Sequence, residues 1–242
     1  MALLARRRDR LEALAAEIRA RGGTALVVDG DVTVLEDVEA FVSHTVEAFG
    51  RLDVMICNAG IGYHGPLDDT PPEVMRRLVD VNLMGTLYAA RAALSVMRRQ
   101  SAGHIIAVSS IAGRRGVGGS SVYSATKAAQ IGFVEGLRAE FSGTDIRASV
   151  IYPVSTVTEF HQAIARDFGQ AVKGKGPKQS ADRVAQAIVD CMVNPRAEVY
   201  PFGNAKWLAV LSVVAPALAD RLVKRFGRRA KPTTGSPESG GH

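Results

Sequence analysis

The sequence predicts a doubly wound α/β fold, a parallel sheet covered by helices on both faces. Three observations point there. Short apolar runs alternate along the chain with segments of helical periodicity. Turn-forming or chemistry-bearing residues stand directly after those runs, at Asp31, Asn58, Ser110 and Pro153, where ligands sit in such folds. The 242 residues are 47% apolar and 22% charged, enough for one domain with a sizeable core.

The elements follow in order. Ala2 to Ala5 reads as the stub of a strand. Arg7 to Arg21 carries Leu11, Leu14, Ala15 and Ile18 at helical spacing, and Gly22-Gly23 stops it. Ala25 to Val28 is a short buried strand. Thr33 with Glu36 forms a capping box, and Leu35, Val38, Val42, Val46 and Phe49 continue one face. Leu52 to Cys57 is a strand ending in the turn Asn58-Ala59-Gly60. Helical spacing runs from Pro72 to Arg99. His104 to Val108 is a strand, Ser120 to Phe141 a helix, and Ile146 to Tyr152 a strand stopped at Pro153. Ser155 to Gln179 reads as a loop or mobile helix. Ser180 caps a helix to Met192, and Glu198 to Pro201 is a last strand. Trp207 to Phe226 is an apolar, then basic helix broken at Pro216.

Composition excludes several classes. Cys57 and Cys191 give neither a disulfide framework nor a metal cluster, so no metal site is expected and a reducing, cytoplasmic setting is the default. Met1 to Ala5 is too short for a signal peptide, with arginines on the wrong side. No apolar run reaches the ~18 residues of a spanning helix. The net charge of +6 gathers at the two ends, but no zinc spacing or RNA-binding signature accompanies it. A nucleic-acid partner is therefore not expected.

The strongest chemical signal is Tyr123-Ser-Ala-Thr-Lys127. Positions i and i+4 share a helix face, so phenol and ammonium enter one pocket. A nearby cation favours the phenolate, bringing a phenol of ordinary pKa ≈ 10 toward use as an acid or base at neutral pH. Such a pair also arises by chance, so its company matters. Ser110 lies thirteen residues earlier, just after a strand, where a serine either caps a turn or hydrogen-bonds a substrate oxygen. Asn82 stands inside a helix, where asparagine is a poor former. It is either a surface residue or a side chain holding a water that relays protons to Lys127.

With these pieces in place the chain resembles a short-chain dehydrogenase/reductase over residues 1 to about 203. The matching pieces are Asp31-Val32, Cys57-Asn-Ala-Gly60, Asn82, Ser110, Tyr123-x-x-x-Lys127, and Pro153 with Thr158. The resemblance implies a Rossmann-like domain over 1–203, followed by the apolar and basic helix 204–227 and a disordered tail 228–242. It implies hydride transfer between a nicotinamide and a carbonyl or secondary alcohol. Tyr123 is then the general acid/base, and Lys127 lowers its pKa and holds the nicotinamide ribose. Ser110 polarises the substrate oxygen and Asn82 completes a proton relay. Asp31 and Val32 flank the adenine, and Asn58, Ala59 and Gly60 support the cofactor. Pro153, Val154, Thr156 and Thr158 meet the carboxamide end.

An acid after the second family strand accepts a ribose 2′-OH, whereas an arginine accommodates a 2′-phosphate. Here that strand ends Ala5-Arg6-Arg7 with no acid before Asp9. NADP is expected in preference to NAD, with Arg6 the main contact. Arginines at a helix start also call for an anion to neutralise them.

The chain departs from the family pattern in one large respect. It starts at the family's second strand, so the first βα unit and its glycine-rich phosphate turn are expected to be missing. Gly60-Ile-Gly62-Tyr-His-Gly65 matches the dinucleotide expression, but Pro66 and an Asp/Pro run follow it instead of a helix. It is read as a decoy at the pocket rim. Two smaller departures are Cys57, where the family commonly has asparagine, and Val154, where it usually has glycine.

The substrate is expected to be apolar with a polar handle, met by Phe160, His161, Ile164, Phe168, Arg114, Arg115 and Val117. The segment 207–226 is expected either to pack on the pocket or a partner subunit, or to touch a membrane surface. A homodimer or homotetramer through the helices of Asn82 and Tyr123 is implied by the resemblance alone. The rival reading is a catalytically inactive scaffold unable to bind cofactor.

Overall fold

The computed structural model describes residues 1–171, 178–224 and 231–232. Strand β1 (Ala2–Ala5) pairs in parallel with β2 (Leu26–Asp29) across helix α1 (Arg8–Ala20). Gly22, in the left-handed region at φ 81°, turns the chain out of α1. Helix α2 (Leu35–Phe49) leads to β3 (Val54–Cys57), and Gly50 at φ 75° ends α2 in the same way.

The expected capping box does not form. Asp31 Oδ1 accepts both the N–H and the hydroxyl of Thr33, each at 2.9 Å. Asp31 stands two residues away and acts first, so α2 begins at Leu35 with Val34 in the cap position.

The long helical pattern becomes α3 (Pro72–Val79), one π turn over Asp80–Met84, and α4 (Gly85–Gln100). Next come β4 (Ala102–Val108), the short α5 (Ile111–Arg114), α6 (Ser121–Glu140) and β5 (Asp145–Ile151). Strands β3, β4 and β5 run parallel in that order, continued by β9 (Glu198–Val199). The sheet is thus Rossmann-like and parallel, in two parts: β1–β2 and the four strands from β3.

The main core lies between α2, α4, α6 and the sheet. Ala93, Met97, Ile105, Ala107, Val134 and Val150 are wholly buried there. Burying each of the larger ones stabilises by about 1.5–3 kcal/mol.

The segment expected as a loop or mobile helix contains a helix between two short strands. Strand β6 (Ser155–Val157) pairs in parallel with β8 (Lys178–Ser180), and α7 (Phe160–Phe168) lies between them. Helix α7 holds because Phe160 and Ile164 press on Gly62, where an added Cβ would meet their side chains at 2.7–2.9 Å. Strand β7 (Gln170–Ala171) pairs antiparallel with β10 (Lys231–Pro232). Apart from Lys231 and Pro232, the expected tail 228–242 and the stretch before it from 225 lie outside the described residues.

Ser180 caps α8 (Ala181–Val193) as its sequence predicts, accepting from Arg183 N at 3.2 Å. Helices α9 (Ala205–Val214) and α10 (Pro216–Lys224) meet at the break before Pro216.

Candidate active site

A cavity of about 710 Å³ opens at the carboxyl ends of β3, β4 and β5. Asn58, Gly60, Ser110, Tyr123, Lys127, Pro153, Val154, Thr156 and Thr158 all line it. The fold therefore gathers nine of the sequence-selected residues, drawn from four stretches of the chain, around one space.

Lys127 is buried, and its Nζ donates to Val108 O at 2.9 Å. That bond engages one of three ammonium donors. Burial pushes its pKa down from 10.5 to about 8. The ammonium lies 5.9 Å from the centre of the Tyr123 ring, as expected for positions i and i+4 of α6. Tyr123 is half-buried and faces Phe160 across 6.1 Å.

Ser110 caps α5: its Oγ accepts from Ala112 N at 3.1 Å. Capping uses a lone pair and leaves the O–H donor for another partner. The two readings of this serine are thus compatible.

Asn82 does not line the cavity. It lies wholly buried behind it in the π turn. Its Oδ1 accepts from Ile61 N at 2.8 Å, while its Nδ2 donates to Ile61 O and Thr126 Oγ1, both at 3.0 Å. Both amide donors are engaged within the protein, so a relayed water is left only the second lone pair of Oδ1. The main-chain carbonyl of Asn82 accepts from Gln130 Nε2 at 2.7 Å. The π turn widens the helix where these contacts converge.

Arg6, Asp31, Val32 and Ala59 also lie outside the cavity lining. Arg6 follows β1, and its guanidinium reaches Asp31 Oδ2 at 3.8 Å. Asp31 follows β2 and takes Thr33 on its other oxygen. Val32 packs on α4, since a Cβ at Gly85 would stand 2.9 Å from Val32 Cγ2. Thr158 accepts from Phe160 N at 3.2 Å, and Thr156 donates to Val154 O at 3.0 Å.

Of the residues expected to meet substrate, Phe160, His161, Arg115 and Val117 line the cavity. Ile164 is buried against Gly62, Phe168 stacks edge-on to Tyr63, and Arg114 pairs with Glu198. His161 is half-buried, with Nε2 3.4 Å from Ser155 Oγ.

Sequence reasoning missed two positioning residues. Ser109 Oγ donates to Lys127 O at 2.8 Å. A Cβ at Gly113 would stand 2.7 Å from the Lys127 carbonyl carbon, so only glycine lets α5 lie this close to α6. The adjacent pair Ser109-Ser110 was the available signal for the first; nothing local marks the second.

The cavity fits the nicotinamide end of a dinucleotide. Lys127 presents a buried cation with unused donors, and a Cβ at Gly60 would reach within 3.4 Å of both Lys127 Nζ and Asn82 Oδ1. The glycines at 60, 62 and 65 do not form a phosphate cradle. Gly62 faces Phe160 and Ile164, Gly65 faces the Tyr63 ring, and the next helix starts only at Pro72. Among the described residues, no group of His, Cys, Asp or Glu could hold a metal.

A family model described as short chain dehydrogenase matches residues 1–168. The uncharacterized oxidoreductase Lin0452 of Listeria innocua is 37% identical over 200 residues, covering 81% of each chain. A short-chain dehydrogenase/reductase from Burkholderia phymatum, solved in complex with NAD, shares the fold with a TM-score of 0.79 at 20% identity, over 90% of this chain and 85% of that one. An alcohol dehydrogenase from Thermococcus sibiricus, solved with 5-hydroxy-NADP, aligns with a TM-score of 0.72 at 27% identity, over 82% of this chain and 83% of that one.

Proposed function

Because the chain belongs to the short-chain dehydrogenase family, an NAD(P)-dependent group of oxidoreductases, we propose that it uses NADP to interconvert an apolar carbonyl compound and its secondary alcohol. The observation that carries this reading is the shared cavity of Ser110, Tyr123 and Lys127. The bound cofactor supplies or accepts the hydride. The chain's own residues handle the oxygen and its proton. The Ser110 hydroxyl donates to the substrate oxygen. The Tyr123 phenol gives or takes the proton on that oxygen. Lys127 holds the phenol toward its ionised form, and two of its donors remain for a ribose. Asn82 is a positioning residue that fixes the loop bearing Asn58, Ala59 and Gly60 beside Lys127. Pro153, Val154, Thr156 and Thr158 face the carboxamide end.

Preference for NADP rests on Arg6, with Asp31 and Val32 beside the adenine. The guanidinium follows β1, is 60% exposed, and stands 3.8 Å from Asp31. A 2′-phosphate there would meet a cation already oriented. The two solved structures hold NAD in one case and 5-hydroxy-NADP in the other, so the choice rests on Arg6.

We infer further that these 242 residues lack the family's first strand and its glycine-rich turn. Strands β1 and β3 each have a single ladder partner among the described residues, which is what a strand missing between them would leave. Self-association through α4 and α6 is part of the same reading, supported by an outer groove where Leu87, Leu94 and Phe133 stand together.

The test is Tyr123→Phe, assayed for NADPH-dependent reduction across a panel of apolar ketones. Turnover should fall by about 10²-fold or more with NADPH binding retained. Unchanged turnover would take the acid/base role from this phenol, whereas no turnover and no NADPH binding in the parent would favour the rival reading, an inactive scaffold.

A further inference from the structure

Helices α9 and α10 form one wall of the cavity. Leu208 and Leu222 line it, and Arg115 holds the wall in place. Arg115 donates to Pro216 O at 3.0 Å and pairs with Asp220. The outward side of this wall is apolar. Trp207 is 74% exposed, Val213 82% and Val214 77%. With Val210 they occupy positions 207, 210, 213 and 214, a single helical stripe. Leu218, on α10, extends the apolar surface. Leu222 is 37% exposed and also lines the cavity, so it stands at the rim.

We propose that this stripe is a docking surface for an anionic lipid bilayer, seated in the interface with the cavity wall against it. Apart from Asp220, the exposed charged residues of α9 and α10 are cationic. Lys206, Arg221 and Lys224 are exposed, and Asp220 is already neutralised by Arg115. An apolar stripe bordered by cations and carrying an outward tryptophan matches the interface of an anionic membrane. A second copy of this chain matches it less well, because pairing the same face would set these cations against one another. Among the described residues no helix is long and apolar enough to cross a membrane, so the contact is one of surface. Entry of an apolar substrate from the lipid through the rim rests on the oxidoreductase reading, whereas the docking does not.

Trp207 is the sole tryptophan of the chain, so its fluorescence reads this surface directly. The 242-residue protein is titrated with phosphatidylglycerol vesicles and, separately, with phosphatidylcholine vesicles. The expected result is a shift of emission to shorter wavelength and protection from acrylamide on phosphatidylglycerol. Partition onto phosphatidylcholine should be about a hundredfold weaker, from three cations near the surface. The double variant Val213→Asp/Val214→Asp, at exposed positions, should lose the shift while its circular dichroism stays that of the parent. Arg221→Glu/Lys224→Glu should weaken phosphatidylglycerol binding selectively. Unchanged emission with phosphatidylglycerol overturns the proposal. So does equal binding to both lipids, or a tryptophan shielded in buffer together with a doubled mass by light scattering, which would mean that a second copy covers the stripe.

Discussion

Asn82 binds Ile61 with both ends of its carboxamide, accepting from the Ile61 N–H at 2.8 Å and donating to the Ile61 carbonyl at 3.0 Å. A side chain thereby does what a neighbouring strand would do, and it does so from the π turn of a helix. The consequence reaches the cavity. The loop after β3 is held where Gly60 backs onto both Lys127 Nζ and Asn82 Oδ1.

Asn82→Ala should therefore be costly. It leaves the Ile61 N–H and C=O without their partner and removes the donor to Thr126. At about 1 kcal/mol for each hydrogen bond, with a further penalty for buried groups left unpaired, the loss is about 3 kcal/mol. Urea unfolding measures it. A loss under about 0.5 kcal/mol would mean that the loop is anchored by other contacts.

Two glycines of the same helical pair should respond in opposite directions. At Gly113 an added Cβ would stand 2.7–2.8 Å from the Lys127 carbonyl carbon and oxygen, so Gly113→Ala must push α5 from α6. We expect a loss of about 1–3 kcal/mol and a fall in turnover, because Ser110 caps α5. Gly132, exposed within α6, has nothing within 4 Å of its Cβ position. There Gly132→Ala should gain about 0.5–1 kcal/mol. Thermal melts of both variants compare the two signs directly.

Much of this arrangement was legible in the sequence, for identifiable reasons. The strands from β3 to β5 and the helices between them announce themselves by local periodicity. The Tyr123–Lys127 pairing follows from helix geometry alone. Ser180 is legible as a cap because its side chain accepts directly from Arg183 N. Thr33 failed as a cap because Asp31 engages it first. Helix α7 was legible only as one of two alternatives, because Glu159 in its cap position makes no side-chain cap and its packing depends on Gly62, about a hundred residues away. The i, i+4, i+8 spacing of Phe160, Ile164 and Phe168 was the signal that could have found it. Gly113 and Ser109 matter only through α6, a tertiary contact that local patterns do not contain.

His104 makes stability acid-sensitive. It is buried on β4 with Nε2 2.7 Å from Ser149 Oγ. Burial, helped by Arg147, lowers its pKa from 6.5 to about 4. Between those values the unfolded chain binds the proton and the folded chain does not. Its contribution is thus complete above pH 6.5 and is lost as pH falls toward 4, by about 3 kcal/mol. His104→Gln should unfold less steeply with acid over that window in denaturant titrations. Parallel curves for the two proteins would contradict the assignment.

Lys127 acts at the alkaline side. With its folded pKa lowered to about 8 by burial, the unfolded chain holds the extra proton from pH 8 to 10.5. Stability should rise with pH across that interval relative to Lys127→Met, by about 3 kcal/mol in all. The Cys57 thiol, raised by burial to about 12, works in the opposite direction above pH 9. It is common to both proteins and cancels in the difference. A flat difference between the two proteins would mean that the ammonium is solvated.

The proposed function requires a cavity built around Tyr123 and Lys127 that takes NADP, with Arg6 selecting the phosphate. The most direct measurement is a titration of the 242-residue protein with NADPH and with NADH, followed by nicotinamide fluorescence, in the parent and in Arg6→Ala. Tighter binding of NADPH is expected, with the preference lost in Arg6→Ala and NADH binding little changed. No binding of either nucleotide by a folded sample would contradict it, as would a preference for NADH.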